Sequence, residues 1–279
     1  MTILNGRFLE LQVDTIKIVH RPPSVGLRVE FDVVRTLKKE PNAAEIKIYG
    51  LSPDHRAALS KVDLPVVSLT AGYETEHTTL FYGQCHHARH EHAGSEVVTT
   101  LSTSDGGKAY QTARLHKSFG PRTKAGEVLR ALAKAIPGVK PGNLETAIQR
   151  LNAGKAADIY IDGCVIAGHV PPCIDLLCRS AGLEWSIQEN KLQFLDVGKA
   201  LSSTAIVLTE SNLTVTPAIS GKNTIEAQTF IQQDFLPGRQ VQVRHEFAAG
   251  VFRLEKCHYT GDTHADNWFV DFEAKGILK

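Results

Sequence analysis

The sequence has almost no net charge: 31 Lys and Arg stand against 30 Asp and Glu, a formal +1 over 279 residues. Bulk attraction to DNA or to an anionic membrane needs a clear basic excess. Neither is expected, although a balanced total can conceal a locally charged surface. Long apolar runs are missing too. The longest are strand-sized, far short of the roughly 20 residues a helix needs to cross a bilayer. The opening residues, Met1 to Arg7, lack the basic stretch and apolar core of a secretory signal. The expectation is a protein made and assembled in a reducing cytoplasm. Cysteine is scarce and odd in number: Cys85, Cys164, Cys173, Cys178 and Cys257 show no framework spacing. That excludes a disulfide scaffold and leaves them as small, half-buried hydrophobes. Glycine-rich phosphate motifs are absent as well. There is no GxGxxG, and Ser220-Gly221-Lys222-Asn223 lacks the leading glycine and the trailing hydroxyl residue of a phosphate loop. Acidic pairs are nowhere distinctive, so a glycosidase has no specific support. Aromatic residues are not interleaved with Arg and Lys, which argues against a single-strand nucleic-acid binder.

What remains is an ordinary globular composition, 42% hydrophobic and 22% charged, which rules out wholesale disorder. The length leaves room for two or three domains. The N-terminal third reads as strand: Phe8, Val13, Ile16 and Ile18 sit among polar residues, and Leu27, Val29, Phe31 and Val33 alternate. The run 44–49 alternates again and ends in Gly50-Leu51-Ser52-Pro53, a helix start with Ser52 as N-cap and Pro53 at the first helical position. Asp63-Leu64-Pro65 stops that helix, and strands resume over 66–73, 80–92 and 97–103.

From about Asp105 to Leu195 the period changes from two to three or four. Asp105-Gly106-Gly107-Lys108 is a turn into this region. Thr123 is placed to cap a helix carrying Val128, Leu129, Leu132 and Ile136, which Pro137-Gly138 ends. Asn143 is placed to cap a second with Leu144, Ile148 and Leu151, and a third runs from about Pro172 to Ser180. The runs 183–188 and 191–195 flank Glu189-Asn190 as a hairpin. Strands return at 205–209, 213–216 and 223–230.

The last forty or so residues are the most distinctive. The turn Leu236-Pro237-Gly238-Arg239 leads into the strand 240–244; Gly250 opens the strand 251–259, and the strand 268–274 closes a hairpin across the polar loop 260–267. With its Gly261-Asp262-Thr263 and Trp268, this ending resembles the C-terminal barrel of baseplate hub proteins from tailed phages, the late control protein D type. The likeness recurs earlier. Ile46-Lys47-Ile48-Tyr49-Gly50-Leu51-Ser52, then Leu69-Thr70-Ala71-Gly72-Tyr73, then Leu80-Phe81-Tyr82-Gly83-Gln84 follow the order of that family's first barrel, with Gly50 where Asn is commoner. The hairpin after Ala181-Gly182-Leu183 resembles the end of the family's α/β insertion.

The resemblance implies an α+β, mainly β fold: a tube-like β-barrel domain over 1–112, an α/β insertion over 113–200 and a second tube-like barrel over 201–279. It further implies a non-enzymatic structural part of the virion, a trimer whose six barrels form a pseudo-sixfold ring. Such a ring joins a hexameric tail tube to a trimeric central spike among other baseplate proteins, with DNA only passing through its channel. No cofactor, metal or catalytic residue is assigned. Rival readings are a hexameric distal-tail adaptor, a tail-associated Cys-His cell-wall hydrolase, and a generic β-rich binding module.

Several constellations invite chemistry. Cys85-His86-His87-Ala88-Arg89-His90-Glu91-His92 offers sulfur and imidazole ligands of the type zinc takes. Regular alternation would put His86, His90 and His92 on one face and Cys85 and His87 on the other. His86 and His90 then stand roughly 13 Å apart, at about 3.3 Å per residue, so a polar strand face that happens to use histidine is the better expectation. His90-Glu91 and His245-Glu246 each begin a HExxH motif, but positions 94 and 249 are Gly and Ala and both stretches read as strand. Cys173, after Pro171-Pro172 at a helix start, is placed for a lowered thiol pKa, with His258 or His264 as base. Against that, Cys173, Leu176, Leu177 and Ser180 fit the core stripe of an amphipathic helix. Asp262 and Asp266 flank His264 in a loop whose polarity needs no cation.

Overall fold

The computed structural model describes residues 6–154, 160, 162–201, 204–221 and 223–277. In chain order the elements are β1 (Arg7–Val13), β2 (Ile16–His20), β3 (Val29–Thr36), β4 (Ala43–Tyr49), α1 (Pro53–Leu59), β5 (Val66–Tyr73), β6 (His77–Ala93) and β7 (Glu96–Ser104). There follow α2 (Gly107–Thr112), β8 (Arg114–Phe119), α3 (Ala125–Lys134), α4 (Leu144–Ala153), β9 (Cys164–His169), α5 (Val170–Ser180), β10 (Leu183–Gln188) and β11 (Lys191–Asp196). The chain ends with β12 (Ala205–Thr209), β13 (Leu213–Ile219), β14 (Thr224–Phe230), β15 (Gln240–His245), β16 (Ala248–Asp262) and β17 (Trp268–Gly276). The fold is α+β and mainly β, as the family resemblance implies.

Two compact units result: Met1–Thr36, Asn42–Asp105 and Ala200–Lys279 form one, and Leu37–Pro41 with Gly106–Lys199 the other. The first unit is one 13-stranded sheet system ordered β13-β14-β17-β16-β3-β4-β7-β6-β5-β1-β2, with β15 on β16 and β12 parallel to β15. Period-two sequence builds it. In β3, Val29, Phe31 and Val33 point inward while Glu30, Asp32 and Val34 point out, so one strand serves a dry face and a wet face. The N-terminal and C-terminal strands join where β3 pairs antiparallel with β16, from Thr36 opposite Lys256 to Glu30 opposite Asp262. A single apolar core runs beneath this junction and includes Leu11, Leu69 and Phe81 from one segment and Phe235, Tyr259 and Trp268 from the other.

The second unit packs α3, α4 and α5 with the β10–β11 hairpin around Leu129, Leu132, Ile148, Ile174, Leu177 and Trp185. Glu189 and Asn190 both adopt positive φ, 53° and 57°, the conformation a two-residue hairpin turn requires. Gly126 lets α3 and α4 close up: a Cβ there would lie 2.7 Å from Ile148 Cγ2.

Three local expectations are corrected. Thr123 does not cap α3, because its hydroxyl donates back to the Gly120 carbonyl at 2.7 Å and Lys124 occupies the N-cap. Asn143 does hold the N-cap of α4, yet its side chain spans to Phe194 instead, accepting from the amide at 2.8 Å and donating to the carbonyl at 2.7 Å. On α5 the buried stripe is Val170, Ile174, Leu177 and Cys178, while Leu176 is 59% exposed. Ser52 behaves as expected, accepting from the His55 amide at 3.3 Å at the head of α1.

Candidate functional site

The C-terminal hairpin is where the most polar and aromatic groups converge. Gly261 sits where β16 crosses β3, and a Cβ there would lie 2.3 Å from Phe31 Cζ and 2.8 Å from Trp268 Cε3. Only a hydrogen in place of a side chain lets Phe31 and Trp268 meet edge to face with ring centroids 5.2 Å apart. Trp268 is 1% exposed, and its indole N–H donates to the Gly72 carbonyl at 3.1 Å. Thr263 reaches back to β3: its hydroxyl accepts from the Val29 amide at 3.0 Å, and its own amide donates to the Val29 carbonyl at 3.1 Å. The sequence motif that marks this ending is therefore a lock between the first and last strands of the unit.

Two arginines from the N-terminal segment tighten the lock. Arg28 donates to Asp262 from Nε at 3.2 Å and from Nη2 at 2.8 Å, and Nη2 also reaches Glu30 at 2.6 Å. Its guanidinium lies over the Tyr49 ring, 4.5 Å from the centroid, while the Tyr49 hydroxyl donates to Glu30 at 2.7 Å. Burial alone would raise the Asp262 carboxyl. The hydrogen bond from Arg28, with those from the His264 and Ala265 amides, outweighs it and holds the carboxyl below its ordinary value. Burial and the bond to Glu30 push Tyr49 up to about 12. Arg7 lies over the Trp268 ring at 5.4 Å and donates to the carbonyls of Asp262, Ala265 and Asp266. Asp262 thus serves an ion pair within the fold. No local pattern links Arg7, Arg28 or Gly72 to this hairpin, since they lie some 200 residues or more from their partners.

The histidine strand is rearranged by a β-bulge. The register of β6 with β7 shifts between Cys85 and His87, and the extra residue changes the parity of everything beyond it. Cys85 opposes buried Thr103, and Ala88 and His90 oppose buried Leu101 and Thr99. Cys85 therefore shares the inward face with His90, contrary to the alternation expected from sequence. His86 is engaged with the Ser104 hydroxyl and His90 Nδ1 with Thr99 Oγ1 at 3.0 Å. Burial, together with Arg56 nearby, lowers the His90 pKa. Among the described residues no group of three or more His, Cys, Asp or Glu is disposed to hold a metal ion.

Cys173 is half-buried, and its thiol donates to the His169 carbonyl at 3.4 Å. Burial raises this thiol, the opposite of what a helix-start nucleophile needs. His258 is engaged with Asp32 at 2.9 Å and His264 with Thr263 at 2.9 Å. Burial takes Cys178 and Cys257 up to about 12. His90 and His245 both lie on strands, so neither begins a helical metal motif. Lys222 of the phosphate-loop-like stretch lies outside the described residues.

The sheet edges form the other candidate surface. β13 and β2 end the strand order, and residues 86–93 of β6 pair only with β7 among the described residues. β13 carries two register shifts and Pro217, with Val215 52% and Ile219 66% exposed.

No family model and no curated protein matches the sequence. Solved structures do. Over 97% of its length the chain superposes on 98% of the 43 kDa tail protein of prophage MuSo2 from Shewanella oneidensis, with a TM-score of 0.67 at 9% identity. The chain has the phage tail-protein fold. A tail protein from Neisseria meningitidis MC58 matches as fully, with 97% and 96% of the two chains covered, TM-score 0.66 and 11% identity. An Escherichia coli type VI secretion component, c3393, described as structurally similar to the T4 tail proteins gp27 and gp5, matches over 96% of this chain and 77% of its own at a TM-score of 0.59 and 9% identity. The tail-protein fold spans both strand segments and the intervening helices, which bears out the hub-type resemblance drawn from sequence.

Proposed function

We propose that this protein is a structural hub of a phage tail baseplate, a homotrimer forming a pseudo-sixfold ring between the hexameric tail tube and a trimeric central spike. The carrying observation is the full-length likeness to tail proteins of both phage and secretion systems. Within that reading, 1–112 and 201–279 act as two tube-like barrel domains and 113–200 as an insertion between them. The continuous β3–β16 pairing makes the two strand segments one rigid repeat, as six barrels in three copies require. The edge of β13 and that of β6 at 86–93 belong to different strands of the same sheet system. Pairing of two such unlike edges between copies is head-to-tail, the type of contact that closes rings. The partners are the tube protein, the spike and other baseplate proteins; DNA only transits the channel, whose wall lacks a continuous basic stripe. The protein acts in the virion tail after assembly in the host cytoplasm, and it does so without catalysis.

Light scattering of the purified protein, alone and with its spike, tests this. A trimer, or a monomer that becomes trimeric on the spike, is expected. A hexamer would instead identify a distal-tail adaptor, and a monomer indifferent to the spike would overturn the hub reading.

A further inference from the structure

The edges of β2 and β12 are closed by local devices. Beside β2 the chain folds back through a bridge between Arg21 and Ser24, and a Cβ on Gly26 would stand 2.3 Å from the Val19 carbonyl. On β12 the Asn212 side chain accepts from the Thr209 amide at 2.7 Å and donates to the Val207 carbonyl at 3.1 Å. Residues 86–93 of β6 differ. They pair only with β7 among the described residues, in unbroken register from His87 to Ala93, and none of them is buried. An open row of backbone donors and acceptors is a template for another strand.

Natural edges are guarded against unwanted pairing by fixed charge, lysine above all. On this edge the two fixed charges cancel, Arg89 meeting Glu91 at 2.6 Å. What remains is His86, His87, His90 and His92, of the one side-chain type that ordinarily changes charge between about pH 5 and pH 8. The groups around them are mostly neutral or cationic. His86 is engaged with the Ser104 hydroxyl and His90 with that of Thr99, while His87 and His92 stand opposite Ser102 and Val97 of β7. From α1, the Arg56 cation opposes charge on His90. From β4, Glu45 stands one strand beyond Ser102 and is paired with Lys47 at 3.3 Å. Glu96 of β7 stands opposite Ala93 at the end of the hairpin.

We propose that residues 86–93 of β6 add to a strand edge of a second copy while their histidines are neutral, and that protonation closes this edge. The inference rests on the ring reading above and names the control of its contact. On that reading the facing edge is β13, which has no charged residue from Leu213 to Ile219. The acid on the strand behind it is Glu226 of β14, opposite Ala218. Pairing a protonated edge would strip water from up to four imidazolium groups and offer that single carboxylate in return. Neutral imidazoles impose no such cost. The histidines are thus a guard that acid sets and neutral pH removes.

The test is sedimentation velocity of the full chain, alone and with its spike, in EDTA at fixed ionic strength from about pH 8 to about pH 5.5. Circular dichroism confirms the fold at each pH. Release of one imidazole proton on pairing weakens association by about tenfold per pH unit, so the wild type should lose about tenfold or more. His86→Gln/His87→Gln/His92→Gln, all at exposed positions, should associate across the whole range. His87→Lys/His92→Lys should fail to associate even at the upper pH. An oligomer that ignores pH, or whose pH dependence survives the glutamine substitutions, overturns this inference while leaving the ring reading intact. Self-association that the lysine pair leaves unchanged overturns it as well, and loss of spike binding alone in that variant would assign the edge to the spike. Association seen only without EDTA would replace proton control with a metal bridging the histidines. A chain that is monomeric at every pH, alone and with the spike, overturns this inference and the ring reading together.

Discussion

The indole N–H of Trp268 donates to the carbonyl of Gly72, 196 residues away in sequence, at 3.1 Å. This bond, the Phe31 edge contact and the Arg7 stack make the last hairpin a fastener for the first strands. Replacing Trp268 with Ala empties a fully enclosed site and orphans the Gly72 carbonyl. The expected loss is about 3–5 kcal/mol in urea unfolding, with Trp268→Phe in between. A loss below about 1 kcal/mol would show that the hairpin does not fasten the core.

Gly261→Ala tests the close approach separately. The added methyl has nowhere to go between Phe31 and Trp268, so overpacking of about 1–3 kcal/mol is expected. Gly94→Ala is a control for backbone conformation: Gly94 has a positive φ of 66° but open space around its Cβ position. A Gly261 variant no worse than this control would contradict the geometry.

Asp262 should shape the acid limb of stability. Its folded carboxyl lies below the ordinary value of 3.8, so the unfolded chain binds more protons as the pH falls. The stabilisation is complete above that value and is lost as the pH drops through the folded pKa. Melting temperatures between about pH 5 and pH 2.5 should therefore fall more steeply in the wild type than in Asp262→Asn, whose overall stability is lower throughout. Parallel curves would mean that the Arg28 pairing contributes nothing.

His20 governs a higher window. It is 6% exposed with Nδ1 unsatisfied, and burial, His264 and Arg7 in that order lower its pKa from 6.5. A histidine that resists protonation only when folded stabilises the protein above 6.5 and loses that contribution as acid is added. Stability measured from pH 7.5 downward should decline in the wild type, and less so in His20→Phe. Equal slopes would remove His20 from the account.

Thiol reactivity discriminates a structural cysteine set from a nucleophile. At pH 7.5 a thiol-specific disulfide reagent should label half-buried Cys164 and Cys173 slowly, and Cys85, Cys178 and Cys257 only on unfolding. Labelling of Cys173 faster than a free model thiol would revive the hydrolase reading.

Much of the local structure is legible in the sequence because it rests on neighbours. Alternation over Val29, Phe31 and Val33 produces a strand, Ser52-Pro53 starts a helix, and Glu189-Asn190 turns the β10–β11 hairpin, all through contacts a few residues long. The hub-type order of elements is legible for the same reason. What decided the rest acts at a distance. One bulged residue between Cys85 and His87 reverses the face of every later histidine in β6, and strand parity cannot register an insertion before the partner strand is known. Leu176 points to solvent because packing partners, not helix periodicity alone, choose the buried stripe of α5. The hairpin motif was visible as Gly261, Asp262, Thr263 and Trp268, but its purpose depended on Arg7, Arg28, Phe31 and Gly72, which no spacing links to it. A net charge of +1 is likewise a property of the sequence, whereas its division into a unit with 15 Lys and Arg against 9 Asp and Glu and one with 16 against 21 exists only once the chain has sorted its segments into two cores.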